Sequence, residues 1–500
     1  MQIGPDPGQP IRLRALLPDA QFHGADDILV ARCACDSRRI ERGSLFAALR
    51  GTRHDGHDFI PEAIARGCSA ILAERRLPGL LLPVCRVRDT RAAYGRLCQA
   101  LAGDPSRQLK VIGITGTNGK TTTSCLIASI LTAAGYRVGL LGTLGCCDGR
   151  TVARTTHTTP PADELASTLA RMVRNGCSYA VMEVSSHALD QSRVAGIAFD
   201  AACVTNVRRD HLDYHRSLGS YRQAKARLLD HLSSVGFVVL NADDPVVMSY
   251  LSRIDGPVLT VGMNPGAEIT ATLLERAPSE QTMLLVAGDE AIPVRTRMIG
   301  VHHAYNCLIA AAVGLAYGID LPTVVRGLET VDYVPGRLER IECGQPFGVF
   351  VDYAHTPDAL AGSLQTLREV VEGRLICVFG AGGDRDQGKR PLMGRAVEAG
   401  ADLVVITNDN PRSEHPLSIL QDLLSGMCRP DEAEVIPDRG EAIAWALSQA
   451  EAGDCVLVAG KGHETEQIVG HRRVAFDDRE VARQWLYENQ PHGVPVGSRQ

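Results

Sequence analysis

No apolar run in the chain reaches membrane-spanning length, so a transmembrane segment is not expected. The start, Met1-Gln2-Ile3-Gly4-Pro5-Asp6-Pro7, lacks the basic stretch and apolar stretch of a secretory signal, and the cytoplasm is the expected compartment. An excess of base is missing too. The 52 Lys and Arg stand against 58 Asp and Glu, and the arginines are scattered among acids, so nucleic acid is not an expected partner. Cysteine pairs at zinc-site spacing are also absent. The 15 cysteines are spread widely, and Cys33/Cys35 and Cys146/Cys147 stand too close for C-x2-C sets. Reduced, mostly buried thiols and no structural metal are therefore expected. No internal repeat or low-complexity block occurs.

What is present is an ordinary globular composition, 45% apolar and 22% charged, over 500 residues. That length is too great for one core and predicts about three domains. Residues 1–108 alternate short apolar runs with a helical stretch from Pro61 through Ala65; strands are expected near Leu45, over Ala70–Ala73 and over Leu81–Val84. Residues 109–338 open with a strand at Val111-Ile112 and a helix from about Thr121 to Ala134, stopped by Gly135. Further strands are expected at Val138–Leu141, Tyr179–Met182, Ala201–Thr205 and Gly236–Leu240, with an antiparallel edge or small added sheet over 266–298. Residues 339–500 repeat the alternation, with strands at Phe347–Val351, Leu375–Phe379, Leu403–Thr407 and Cys455–Ala459, before a polar, fraying tail over Pro491–Gln500. Such alternation predicts an α/β protein with mostly parallel sheets covered on both faces.

The richest segment is Gly113–Thr123, GITGTNGKTTT, which follows an apolar strand and opens a helix. Backbone N–H groups at Gly116, Thr117, Asn118 and Gly119 can cradle phosphate, Lys120 can neutralise it, the Thr121 hydroxyl can reach Mg²⁺, and Thr122 completes the nucleotide-binding turn. The strict spacing G-x-x-x-x-G-K would need glycine where the chain has Ile114.

Ligands of parallel sheets gather beyond the C-terminal strand ends, and several polar clusters fall there. Glu183, in Met182–His187, can hold Mg²⁺; His211, in Thr205–Asp213, offers a neutral nitrogen, although a lone histidine is usually structural. Lys225 lies on a half-apolar helical face between Tyr221 and Leu229, where the residues alone suggest a snorkelling surface lysine. In the last unit, Gly380–Asp386, Asp409–Glu414 and Gly460–Glu464 each follow a strand. Together they suit a substrate bearing both amino and carboxylate groups, with Arg385 as a bidentate anion partner; solvated loops would carry charges as well.

With those residues in view, the chain resembles the Mur ligases, and among them the MurE type, over about residues 30 to 480. The likeness is carried by DSRRIERGSLFAALRG from Asp36, GTNGKTTT from Gly116, HTTP from His157, MEVSSHALDQSR from Met182, DHLDYH from Asp210 and YRQAKARLL from Tyr221. It continues in VPGRLE from Val334, VDYAHTPDAL from Val351, FGAGGDRDQGKRPLM from Phe379, TNDNPRSE from Thr407 and AGKGHE from Ala459. The resemblance implies three domains, for a UDP-sugar (1–108), for ATP on a P-loop-type mostly parallel sheet (109–338) and for an amino acid on a Rossmann-like sheet (339–500). It also implies a monomer that uses ATP and Mg²⁺ to phosphorylate the terminal carboxylate of UDP-MurNAc-L-Ala-D-Glu. An amine then displaces phosphate to form an amide.

Residue by residue, the resemblance places Mg²⁺ at Thr121, Glu183, His211 and a carbamylated Lys225. It puts adenine at Asn306, phosphates at Lys120 and Arg337, ribose at Asp352, and His355 in the same loop. The nucleotide-sugar peptide falls to Ser37, Thr158, Thr159, Ser185, Gln191 and Arg193. The amino acid falls to Arg385, Asp409, Asn410, Pro411, Arg412, Gly460 and Glu464, and Arg412 implies meso-diaminopimelate over L-lysine because its fork can hold a distal carboxylate. Two positions depart from the pattern: His303 replaces an asparagine, and Arg208 a small residue. They leave open a diverged ligase of secondary metabolism that joins an amino acid to another carboxylate. The intact Asp36-Ser37-Arg38 and His157–Pro160 motifs oppose that alternative. A folylpolyglutamate synthetase fits the long first unit poorly, and a non-catalytic nucleotide module would not be expected to keep Lys120, Glu183 and Lys225.

Overall fold

The computed structural model describes residues 10–51, 54–155 and 157–489; the expectations for Met1–Pro7 and for the polar tail lie outside them. Among the described residues no helix is long and apolar enough to cross a membrane.

The central unit is built on an 11-stranded sheet. Its strands run parallel from Val138–Gly142 through Tyr179–Glu183, Lys110–Thr115, Phe199–Val204, Leu232–Asn241 and Val258–Gly262 to Ile269–Arg276. Tyr179–Glu183 is buried along its whole length, as a strand covered on both faces requires. One face is closed by the helix Lys120–Ala133 and the alanine-rich helix Val301–Ala316, whose small side chains let it lie inside the core. The helix Ala162–Arg174 covers part of the other face. Residues 269–296 settle the open expectation for the 266–298 stretch: they add antiparallel strands to the same sheet rather than forming a separate one.

The last unit carries a 6-stranded sheet in the order Glu339–Arg340, Gly348–Asp352, Cys455–Ala459, Leu375–Phe379, Leu403–Ile406, Glu434–Val435. All its pairings are parallel except the first. The first unit has a 5-stranded mixed sheet. Here one expectation fails. The strand set at Leu81–Val84 begins only at Val84 and runs to Arg86, and Leu81 is 99% exposed. Pairing starts where the Pro83 carbonyl accepts from Ile71 N, because proline has no N–H to give; the leucines before it belong to a loop.

Register brings the chemistry together. Glu183 pairs with Ile114 and Val204 with Thr115, so the Gly116 turn, Glu183 and Asn206 emerge side by side at one sheet edge. In the last sheet Asp352 pairs with Ala459 and Phe379 with Ile406, which lines up the three charged loops.

Close helix packing beneath the central sheet generates a stability prediction. Gly327, in the helix Leu321–Glu329, lies so near Ile130 that an added Cβ would stand 2.5 Å from its Cα, and the Ser129 hydroxyl donates to the Gly327 carbonyl at 2.7 Å. Gly327→Ala gains helix propensity of about 1 kcal/mol, yet it must separate the helices, and overpacking of this kind costs about 1–3 kcal/mol. A lowered midpoint for the thermal transition is expected by calorimetry; a raised midpoint would show that the helices yield freely.

Candidate active site

A cavity of about 880 Å³ lies between the central and last sheets. The phosphate-type loop forms one wall. Gly116 takes φ 150° and lies against Thr205, where a side chain's Cβ would stand 1.8 Å from the threonine hydroxyl oxygen. Gly119 takes φ 86° against Asn306. Only glycine fits at both, so the loop's N–H groups can turn toward a ligand. Thr117 accepts from Arg208 N at 2.9 Å, and Asn118 N donates to the Asn206 side chain at 3.0 Å.

Two lysines converge behind this loop. Lys120 Nζ donates to the carbonyls of Gly116 (2.8 Å) and Thr117 (2.9 Å), while Lys225 Nζ donates to the same Gly116 carbonyl at 2.6 Å. Lys225 is 2% exposed and lies over the Tyr221 ring at 4.7 Å, so the snorkelling expectation is overturned. The strand end carrying Gly116 covers a face that the local helical pattern leaves half open. Burial, followed by the charge of Lys120, holds the Lys225 amine well below its ordinary pKa.

Glu183 is 1% exposed. Its carboxylate accepts from Thr143 N (2.7 Å), Thr143 Oγ1 (3.0 Å) and Thr121 Oγ1 (3.0 Å). Thr121 in turn accepts from Arg337 Nη2 at 2.9 Å, and Arg337 stacks on Tyr353. His211 lies at the edge of the same cavity with its Nε2 3.4 Å from Asp210, and burial pushes its pKa down to about 3. These groups fit a Mg²⁺ ion: a hydroxyl and a carboxylate are hard oxygen donors, and a neutral imidazole keeps its lone pair. Among the described residues no three His, Cys, Asp or Glu side chains assemble as a ready-made cation site. A cation here would have to draw further oxygens from phosphate or from a modified lysine.

Asn306 accepts from Thr123 Oγ1 at 3.2 Å. Asp352 accepts from Leu338 N and from the Ser363 hydroxyl, and His355 donates from Nδ1 to the Tyr353 carbonyl. All three line the cavity. The departures now have local accounts. Arg208 forms a 2.7 Å pair with buried Asp244, whereas buried His303 has no hydrogen-bond partner on either ring nitrogen among the described residues.

The opposite wall is the charged loops. Arg385 and Arg412 flank Gly382, and neither has a carboxylate partner among the described residues; the Arg412 guanidinium donates to the Gly383 carbonyl at 2.7 Å, and its backbone N–H to the Ile468 carbonyl. Asp409 and Glu464 line the cavity beside them, and Gly460 packs against the Asp409 carboxylate. Pro411 does not line it. Its carbonyl packs on Gly383, so it shapes the loop instead.

A second cavity of about 650 Å³ opens on the first unit and contains Ser37, Gln191 and Arg193. Ser37 donates to Glu62 at 2.8 Å. Arg193 donates to Gln191 Oε1 and, at 2.7 Å, to the Thr159 carbonyl; it belongs to both cavities. Thr158, Thr159 and Ser185 line the main cavity next to it. The sequence-predicted residues thus fall on two cavities that share Arg193, with only Gly116, Lys225 and Pro411 set behind the walls. Lys461, missed from the sequence, holds two of the lining residues from behind.

Lys120 is the cation best placed for phosphate, so Lys120→Ala is expected to lower kcat by more than about tenfold, 1.4 kcal/mol of transition-state stabilisation. Steady-state kinetics on folded mutant protein checks this; a smaller loss would show that the lysine does not face the transferring group.

Comparison with known proteins agrees with this geometry. Residues 30–100 match the model described as "Mur ligase family, catalytic domain", 114–314 the Mur ligase middle domain, and 336–462 the "Mur ligase, glutamate ligase domain". A UDP-N-acetylmuramoyl-L-alanyl-D-glutamate--2,6-diaminopimelate ligase of Geobacillus thermodenitrificans is 43% identical, covering 94% of this chain and 98% of its own. The ligase of the same name from Gloeobacter violaceus is 44% identical over 93% and 96%. A solved structure of a ligase of that name superposes with a TM-score of 0.68 at 32% identity, covering 96% of this chain and 99% of its own. MurF from Acinetobacter baumannii shares the fold at 22% identity and a TM-score of 0.62, over 91% and 96%. With all three family models matched in order and near-complete coverage by its relatives, the chain belongs to the Mur ligase family.

Proposed function

We propose that this enzyme, an ATP-dependent ligase, joins meso-diaminopimelate to UDP-MurNAc-L-Ala-D-Glu in peptidoglycan precursor synthesis, acting as a cytoplasmic monomer. The observation that carries the proposal is the pair Arg385 and Arg412. They are cations without carboxylate partners among the described residues, set across one cavity from the phosphate-type loop. Substrate assignments follow the names of the relatives. The proposed domains are 1–108 for the UDP-sugar, 109–338 for ATP and 339–500 for the amino acid.

The terminal carboxylate oxygen of the acceptor attacks the γ-phosphorus of ATP, the bond to the bridging oxygen breaks, and ADP leaves. The amine then attacks the acyl carbon, the C–O bond to phosphate breaks, and the nitrogen sheds its proton as the amide forms. Two anions meet in the first step, so fixed positive charge must be aimed at the transferring group. Lys120, Arg337 and the loop N–H groups from Gly116 to Thr122 supply it. Thr121, Glu183, His211 and modified Lys225 would hold Mg²⁺, which supplies charge neutralisation on the phosphate oxygens. Asn306 is assigned to adenine, and Asp352 and His355 to the nucleotide side. Ser37, Thr158, Thr159, Ser185, Gln191 and Arg193 are assigned to the acceptor along the two cavities that share Arg193. Asp409 and Glu464 receive the ammonium groups, with Asn410, Pro411 and Gly460 framing them. Incubation with ATP, Mg²⁺, acceptor and each amino acid, read as product mass, tests the whole reading; no amide product with diaminopimelate would refute it.

Carbamylation of Lys225 has a physical motive here. Two ammoniums on the Gly116 carbonyl repel each other, and the depressed pKa of Lys225 favours the neutral amine that adds to CO₂ with loss of a proton. Lys225→Ala is expected to be nearly inactive and to regain activity with short carboxylic acids. Labelled CO₂ should give a carbamate carbon signal in the parent that the mutant lacks. No signal and no rescue would refute the modification.

Arg412→Ala is expected to cost about 2–5 kcal/mol in kcat/KM for diaminopimelate if its pair with the distal carboxylate is buried, and much less for lysine. Measuring both amino acids with both proteins decides it. Equal losses, or a parent that prefers lysine, would show that this guanidinium does not read the distal carboxylate.

A further inference from the structure

Lys461 has an environment unlike that of any other lysine described in the chain. It sits in the turn after the strand Cys455–Ala459, a place where a lysine ordinarily points into solvent, yet its side chain is 0% exposed. All three ammonium protons are used: on Asn410 Oδ1 (3.2 Å), Glu464 Oε2 (2.8 Å) and the Glu466 carbonyl (2.7 Å). Asn410 closes the triangle by donating from Nδ2 to the same Glu464 Oε2 at 2.8 Å, and its Oδ1 also accepts from Ile468 N. Glu464 Oε1 accepts no hydrogen bond among the described residues, and Glu464 lines the main cavity while Lys461 does not.

We propose that Lys461 is a positioning residue for the amino-acid substrate: it fixes one oxygen of Glu464 and the amide of Asn410 so that the remaining Glu464 oxygen meets a substrate ammonium. This rests on the reading that the charged loops take the amino acid. A glutamate at a cavity edge would otherwise sample many rotamers, and ordering a rotamer-rich side chain on binding costs affinity. Here that ordering precedes the ligand. Glu464 and Asp409 balance Arg385 and Arg412, and Lys461 adds one positive charge behind them, which suits a substrate whose attacking amine is neutral and whose other ammonium faces two carboxylates. A buried lysine is tolerated because its three protons are all received and one receiver is an anion. Replacing it would leave Glu464 Oε2 with the Asn410 amide alone.

The test is Lys461→Met, which keeps most of the stem volume and removes the charge. The parent is assayed first with diaminopimelate and with lysine. Turnover with neither refutes the functional reading itself, and if the parent prefers lysine the comparison below is made with lysine. Charge-assisted bonds of this kind imply a rise of about tenfold or more in KM for the amino acid. KM for ATP and for the nucleotide-sugar acceptor should stay within about twofold, because both bind elsewhere in the cavities. Discrimination between the two amino acids should fall as well, since a loosened carboxylate no longer fixes the ammonium end. An unchanged amino-acid KM would overturn the proposal, and so would equal rises in all three KM values, the mark of a general structural defect. Should the methionine variant not fold, Lys461→Arg serves the same comparison. Its planar fork cannot reproduce the tetrahedral arrangement of three acceptors, so the amino-acid KM should again rise alone, and an unchanged value would overturn the proposal.

Discussion

The carbonyl oxygen of Gly116 receives two lysine ammoniums, and much of the central cleft is arranged around that crowded point. One lysine comes from the helix that opens directly after the loop, the other from a helix more than a hundred residues later. Holding both charged so close is costly in a buried place: burial lowers the pKa of each amine, and the neighbouring charge of Lys120 adds to the effect on Lys225. The glycine's own lack of a side chain is part of the same constraint, because Thr205 occupies the space that a Cβ would need.

A wider pattern follows from how the cations are held. Three that line the cavities are tied to neutral oxygens: Lys120 to Gly116 and Thr117, Arg193 to Thr159 and Gln191, Arg412 to Gly383. Arg208, which also lines the main cavity, is paired with Asp244 instead. Those that hold the scaffold are tied to carboxylates. Arg439 is fully buried against Asp478, and Arg390 bridges Glu414 and Asp422. A carbonyl orients a guanidinium or ammonium without cancelling its charge, whereas a carboxylate does both. Positive charge is therefore left uncancelled at Lys120, Arg193 and Arg412 and is neutralised at Arg208, Arg390 and Arg439.

Strands were legible in the sequence wherever an apolar run was to be covered on both faces, as at Tyr179–Glu183 and Leu375–Phe379. Pro83 defeated the same reasoning at the start of the strand Val84–Arg86, since apolarity does not report a missing donor. The loop lysine and Glu183 could be read from their places after strands. The burial of Lys225 could not, because the group that covers it comes from far along the chain. Lys461 escaped notice for the same reason: locally it looks like one more charge in a polar turn, and only the approach of Asn410 makes it part of a wall. His303 was visible as a departure, yet the isolation of both its ring nitrogens is a property of the packed helix.

Arg193 stands in the wall of both cavities. Its guanidinium has a fixed number of protons to give, and one already goes to the Thr159 carbonyl and others to Gln191. Any occupant of one chamber that draws this group toward itself withdraws it from the other. The two chambers then behave as a linked pair, and reciprocity requires each occupant to change the other's affinity by the same factor. A single molecule spanning both would avoid that competition, so the shared arginine favours one long guest over two short ones.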